Sequence, residues 1–165
     1  MELNKLDKAV EFQEKKLGYL LHCNDVENIS LIYRNLISNY FELKNWKKVD
    51  QLCIKKIKLD SERDDKKELV IVYSILAVTL RKLKKYNSSI KYHKLCINLA
   101  IEIEDNNVLA TAYNDLGNTF SIVKNVKEAE ECFLESIRIK KNIGNEVGVM
   151  ASHWSSVKEF YWAFC

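Results

Sequence analysis

Proline is absent from this chain of 165 residues, and glycine occurs only four times. At ordinary usage a chain of this length carries about eight prolines and about a dozen glycines. Their scarcity argues against β-sandwiches and barrels, which need a glycine- or proline-rich turn every ten residues or so, and against collagen-like or low-complexity linkers. Long apolar runs are also missing. No stretch approaches the ~20 residues that a bilayer crossing needs, and the N-terminus, Met-Glu-Leu-Asn-Lys-Leu-Asp-Lys, has no signal-peptide core. The expectation is a cytoplasmic protein with no membrane partner. The five cysteines, Cys23, Cys53, Cys96, Cys132 and Cys165, are odd in number and contain no C-x-x-C pair. They indicate neither a disulfide framework nor a zinc site, and no metal or cofactor is expected.

What is present is a composition of 47% apolar and 30% charged residues, enough for a core and a solvated surface, and with few turn residues it reads as an all-α domain. The net charge of +3 is unevenly spread: from Glu42 to Lys94 there are fifteen Lys and Arg against seven Asp and Glu, with acidic segments on either side. This basic middle could attract an acidic partner or nucleic acid. The nucleic-acid reading is disfavoured because lysines such as Lys47, Lys48, Lys55 and Lys56 read as the solvated outer face of helices, without interleaved exposed aromatics.

Three segments align at intervals of forty residues: Ser30–Leu43 (SLIYRNLISNYFEL), Val70–Leu83 (VIVYSILAVTLRKL) and Ala110–Val123 (ATAYNDLGNTFSIV). With Ser30, Val70 and Ala110 as position 1, position 4 is Tyr33, Tyr73 and Tyr113, position 7 is Leu36, Leu76 and Leu116, and position 11 is Tyr40, Leu80 and Phe120. Spacings of three and four place these on one helix face. A second apolar series follows, with Ile57, Ile97 and Ile137 at position 28, after the polar pairs Lys44-Asn45, Lys84-Lys85 and Lys124-Asn125. Each unit therefore reads as two antiparallel helices joined by a tight turn.

These residues resemble the tetratricopeptide repeat (TPR). The third unit carries the motif in full, as Tyr113, Leu116, Gly117, Phe120, Ala129, Phe133 and Ser136; Ile37 and Ala77 replace Gly117, and Cys53 and His93 replace Phe133, in the other two. Where the family places a proline near position 32 stand Ser61, Ile101 and Lys141, which resembles the longer, forty-residue variety. The resemblance implies a right-handed α-solenoid of about eight helices in a single array: a lone second helix at 3–22, repeats at 30–65, 70–105 and 110–143, and a lone first helix at 148–165. Gly144 reads as a helix stop and Gly148 as part of the linker that follows.

The resemblance further implies a non-catalytic interaction module whose concave groove holds a peptide or an extended protein segment. By position its lining is Arg34, Ser38, Phe41, Ser74, Arg81, Asn114, Asn118, Ser121, Trp154 and Lys158. Asparagine can donate to and accept from a peptide backbone at once, and arginine can hold a carboxylate bidentately. Ser74 and Val78 interrupt the pattern of a carboxylate clamp. The lysine- and asparagine-rich units are also similar to the sensor arrays of bacterial peptide-pheromone receptors of the Rap, NprR and PlcR kind, which would make this chain a sensing part; nothing before Ala9 reads as an effector.

The alternative reading is an assembly scaffold or homodimer formed through the apolar end of the chain, with Phe160, Tyr161, Trp162 and Phe164 as the contact. Enzyme chemistry is not indicated. His93 and Cys96, three apart, fall on interior packing positions 24 and 27, and adjacent acids such as Asp64-Asp65 diverge by 100° on a helix.

Overall fold

The computed structural model describes residues 2–150 and 152, with side chains from residue 6. Seven helices follow one another: α1 (Glu2–Cys23), α2 (Val26–Glu42), α3 (Trp46–Glu62), α4 (Lys66–Lys82), α5 (Tyr86–Glu102), α6 (Asn106–Ile122) and α7 (Val126–Asn142). An eighth, α8, starts at residue 146. No strand occurs among the described residues. The candidate contacts Trp154, Lys158, Phe160, Tyr161, Trp162 and Phe164 lie outside them.

From α2 onward a helix starts every twenty residues, and α2 to α7 are each 17 residues long. The punctuation is local. A residue in the left-handed region ends each helix: Asn24, Lys44, Asp64, Lys84, Glu104, Lys124 and Gly144, with φ between 52° and 70°. The next residue stands at the N-cap of the helix that follows, and at Asp25, Asn45, Asp65, Asp105 and Asn145 its side chain accepts a backbone N–H of that helix.

At the first loop between paired helices, Lys44 N–H donates to Phe41 O at 3.0 Å and Asn45 N–H to Tyr40 O at 2.9 Å, the two bonds of a Schellman ending. Asn45 Oδ1 then accepts from Lys48 N–H. A left-handed conformation costs a non-glycine residue about 1–2 kcal/mol; the side-chain cap returns about 1 kcal/mol, and the two turn bonds satisfy carbonyls that the helix end would leave open. The turns at Asp64-Asp65, Glu104-Asp105 and Gly144-Asn145 repeat both the turn bonds and the side-chain cap, which is how a chain with four glycines makes such turns. Only Gly144 uses its own conformational freedom there.

The first helices begin at Val26, Lys66 and Asn106, one turn ahead of the apolar motif, because the opening turn is polar and capped by Asp25, Asp65 and Asp105. Gly148 is not linker. It sits in the first turn of α8, where its N–H donates to the capping Asn145 Oδ1 at 2.8 Å.

The helices group into two compact units, residues 1–83 and 84–165, with the boundary in the α4–α5 connection. In the first unit α1 packs on α2, α2 on α3 and α3 on α4. Leu36, Ile37, Val49, Cys53, Val72 and Leu76 are all at most 1% exposed. In the second, α5 packs on α6 and α6 on α7, around Cys96, Ala112, Leu116, Phe133 and Ile137. Gly117 is required by a close crossing: a Cβ there would lie 2.7 Å from Phe133 Cε1. The corresponding slots of the first repeat hold Ile37 and Cys53, the bulk having moved to the other helix.

Candidate functional site

The same row of side chains is accessible on each first helix. At positions 2, 5 and 9, α2 has Leu31, Arg34 and Ser38, all exposed. On α4, Ile71 is exposed and Ser74, Val78 and Arg81 are half-buried; on α6, Thr111 is exposed and Asn114, Asn118 and Ser121 are half-buried. Residues between them, such as Ile32, Leu36, Val72, Leu76, Ala112 and Leu116, are buried. A spacing of three, four and three residues makes each row a continuous strip along one helix. The first unit thus carries Arg34, Ser38, Phe41, Ser74 and Arg81, and the second carries Asn114, Asn118 and Ser121.

Phe41, Asn114 and Arg34 have structural work. Phe41 meets Trp46 edge-on at 5.1 Å across the α2–α3 turn. Asn114 Oδ1 accepts from Ser152 Oγ at 3.1 Å. Arg34 is paired with Glu68 Oε1 of α4 at 2.7 Å. A cavity of about 280 Å3 lies beside that pair, lined by residues including Glu27, Asn28, Leu31, Arg34, Arg63 and Glu68.

Beneath it is a charge cluster that the sequence reading missed. Lys56 is not on an outer face: it is 1% exposed, and Asp60 is fully buried. Lys56 Nζ lies 2.9 Å from Asp60 Oδ2, 2.8 Å from Glu68 Oε2 and 2.7 Å from Ser30 Oγ. Ser30 Oγ donates to Asp60 Oδ1 at 2.8 Å. With Arg34 included, two cations face two carboxylates, tying α2, α3 and α4 together. The signal was available in the register, since Lys56 stands at position 27, the interior slot of Cys96 and Ser136. One lysine is thereby removed from the basic middle.

The second unit has a smaller counterpart. Lys140 Nζ donates to Ser152 Oγ at 2.7 Å, and Ser136 Oγ donates to Ala110 O at 2.7 Å. Burial lowers the Lys140 pKa from its ordinary value, with the Asp115 charge acting in the opposite direction. In both units a buried polar cluster sits where the next first helix docks onto a helix pair.

His93 and Cys96 are both fully buried. Burial pushes the Cys96 thiol up to about 12, helped by Asp115 and Asp105, so it stays protonated at neutral pH and is a poor nucleophile. No cluster of three or more His, Cys, Asp or Glu side chains suited to a metal ion occurs among the described residues. Nor is any helix there long and apolar enough to cross a membrane.

The class defined by these features is an all-α array of capped antiparallel helix pairs. Residues 68–142 match the family model of the tetratricopeptide repeat. No curated protein matches the chain in sequence. Among solved structures, BtubC (BKLC) from P. vanneervenii is similar with a TM-score of 0.79 at 15% identity, over 99% of this chain and 67% of that one. Aspartyl phosphate phosphatase F from Bacillus subtilis is similar with a TM-score of 0.76 at 14% identity, over 98% of this chain and 48% of its own. A signal transduction ATPase with a tetratricopeptide repeat sensor from Pyrococcus horikoshii gives 0.73 at 20% identity, over 96% and 28%.

The chain thus spans about half the length of the phosphatase and under a third of the ATPase. At these identities the likeness is one of fold. The repeats at 68–142 are tetratricopeptide repeats, and the fold class is the α-solenoid to which such repeats give rise. That class generally serves as a non-catalytic protein-interaction module.

Proposed function

We propose that this chain binds a peptide or an extended segment of another protein along the open strips of its first helices, as the sensing part of a larger regulator. The observation that carries the reading is the recurrence of accessible side chains at the same positions of α2, α4 and α6, between neighbours that are buried. Side chains left accessible beside a packed core are where a repeat array can vary its chemistry without losing that core. Asn118 offers an amide suited to peptide backbone. Arg34, already oriented by Glu68, offers guanidinium donors to an acidic side chain or a terminal carboxylate. The sensor role draws support from the fold likeness to the ATPase that carries a tetratricopeptide repeat sensor.

The test is selection of a binder from a displayed peptide library with the 165-residue chain, followed by calorimetric titration of that peptide. Arg34→Ala, for a peptide held on the first unit, or Asn118→Ala, for one held on the second, should weaken binding by about tenfold, the effect of losing ~1.4 kcal/mol. Unchanged affinity in both variants, or a library that yields no binder, sinks the proposal. Asn114→Ala is the wrong probe, because it also releases Ser152.

A further inference from the structure

Equivalent second-helix positions carry different chemistry in the two units. Positions 26, 29 and 30 are Glu135, Arg138 and Ile139 on α7, and Lys55, Lys58 and Leu59 on α3. On α7, Arg138 Nε donates to Glu135 Oε2 at 2.9 Å, and Ile139 beside them is buried. Burial raises the Tyr113 pKa, and the charges of Glu135 and Arg138 act on the same hydroxyl in opposite directions. This α7 surface neutralises itself over its own tyrosine. On α3 the acid is replaced by a second lysine. Lys55 and Lys58 are both exposed, and neither makes an ion pair among the described residues. Like charges one turn apart on a helix repel.

Beside these lysines a mainly apolar cavity of about 280 Å3 opens between α1, α2 and α3. Buried Ile29 and Tyr33 form its floor, Leu59 is half-buried, and exposed Leu21, Lys55 and Lys58 stand at its rim. Glu62 also lines it, without an ion pair to either lysine. The volume is just below that of small-molecule pockets, which run about 300–1,000 Å3, so it suits one bulky side chain better than a whole cofactor. On α2 the cleft takes Ile29 and Tyr33, whereas the open strip takes Leu31, Arg34 and Ser38. With ~3.6 residues per turn these are opposite sides of the helix.

We propose that this cleft docks a segment of another protein in which one large apolar side chain is flanked by carboxylates. The apolar side chain covers Tyr33 and Leu59, and the carboxylates meet the Lys55 and Lys58 ammonium groups. Charge complementarity selects this occupant: two cations without an ion pair flank an apolar floor, and the partner's acids supply what Glu135 supplies within α7. An apolar anchor in a pocket gives such a contact its affinity, and charges at the rim give it orientation and speed. The site shares no residue with the strip proposed above and is independent of it.

The test is fluorescence anisotropy of the 165-residue chain with a panel of labelled, C-terminally amidated peptides, each holding one Leu, Ile, Phe or Met between pairs of Asp or Glu. At least one should bind. Replacing its apolar residue by Ser, or its acids by Asn and Gln, should weaken it by about tenfold or more. The double variant Lys55→Glu, Lys58→Arg copies the α7 pair onto α3 and should weaken binding likewise. Leu21→Ser, which leaves both lysines in place, should do the same, and Arg34→Ala should leave the affinity unchanged.

The substituted residues are exposed, so the variants should keep their helical circular dichroism. A panel with no binder up to about 1 mM peptide, or a peptide held equally well by the Lys55→Glu, Lys58→Arg variant, overturns the proposal. So does an acidic peptide without its apolar residue, or a short oligonucleotide, that binds as tightly, because the lysines would then be a general anion surface. Weakening by Arg34→Ala but not by the α3 variants would place the peptide on the strip and overturn it as well.

Discussion

Replacing Lys56 by methionine keeps the length of the side chain and removes its charge. The lost contacts are an ion pair of 2.9 Å to Asp60, one of 2.8 Å to Glu68 and a hydrogen bond of 2.7 Å to Ser30 Oγ. Glu68 is partly exposed and keeps Arg34. Asp60 has no exposure at all and is left with the Ser30 hydroxyl against its charge. Removing one partner of such a buried pair costs about 3–5 kcal/mol, which in a chain of this size lowers the melting temperature by roughly 6–20 °C.

The repeat itself supplies the control. Forty residues on, the same four positions are Val70, Cys96, Ala100 and Val108. The quadruple variant Ser30→Val, Lys56→Cys, Asp60→Ala, Glu68→Val replaces the cluster by its apolar equivalent and should stay within about 2 kcal/mol of wild type, since exchanging a whole buried ion cluster for packed apolar groups is often neutral. Repeat arrays open in parts. Thermal melts are therefore best paired with hydrogen exchange resolved to α2, α3 and α4. A cost below about 1 kcal/mol for Lys56→Met, or a quadruple variant as unstable as the single one, refutes the reasoning.

Gly117→Ala drives a methyl group to within 2.7 Å of the Phe133 ring and should cost about 1–3 kcal/mol in denaturant titration; Phe133→Leu in the same chain should recover part of it. Lys44→Gly and Lys124→Gly, at φ of 55° and 61°, should each stabilise by about 0.5 kcal/mol, the left-handed penalty removed less the entropy given to the unfolded chain. Gly144→Ala should act in the opposite direction, and a loss of stability in either lysine variant would contradict the capping account. Burial holds the Cys53 and Cys96 thiols up at about 12 and Cys132 at about 11. Among these and exposed Cys23, maleimide labelling at pH 8 should modify Cys23 first, and raising the pH to 9 should not open the other three; early labelling of Cys96, located by mass spectrometry, would count against its burial.

The sequence by itself determined the helices and their repeat, because those signals are local. Three segments in a forty-residue register carry the apolar faces. The turns were legible too, and more fully than the forty-residue period suggests: Asp25, Asn45, Asp65, Asp105, Asn125 and Asn145 fall on a twenty-residue grid, each directly after a left-handed residue. Asp64-Asp65 belongs to that grid as a helix stop and a cap.

Tertiary structure alone decided the fate of residues whose chemistry fits two environments. Lysine on a helix is most often solvated, and Lys56 became a buried cation only because Asp60 lies one turn away on α3 and Ser30 and Glu68 arrive from α2 and α4. Asn114 has the same composition whether it faces a ligand or a neighbouring hydroxyl, and docking of α8 gave it Ser152. Leu59 and Ile139 are apolar in any reading. That one lines an open cleft and the other is buried depends on the side chains that stand beside them, and no residue-by-residue property carries that information.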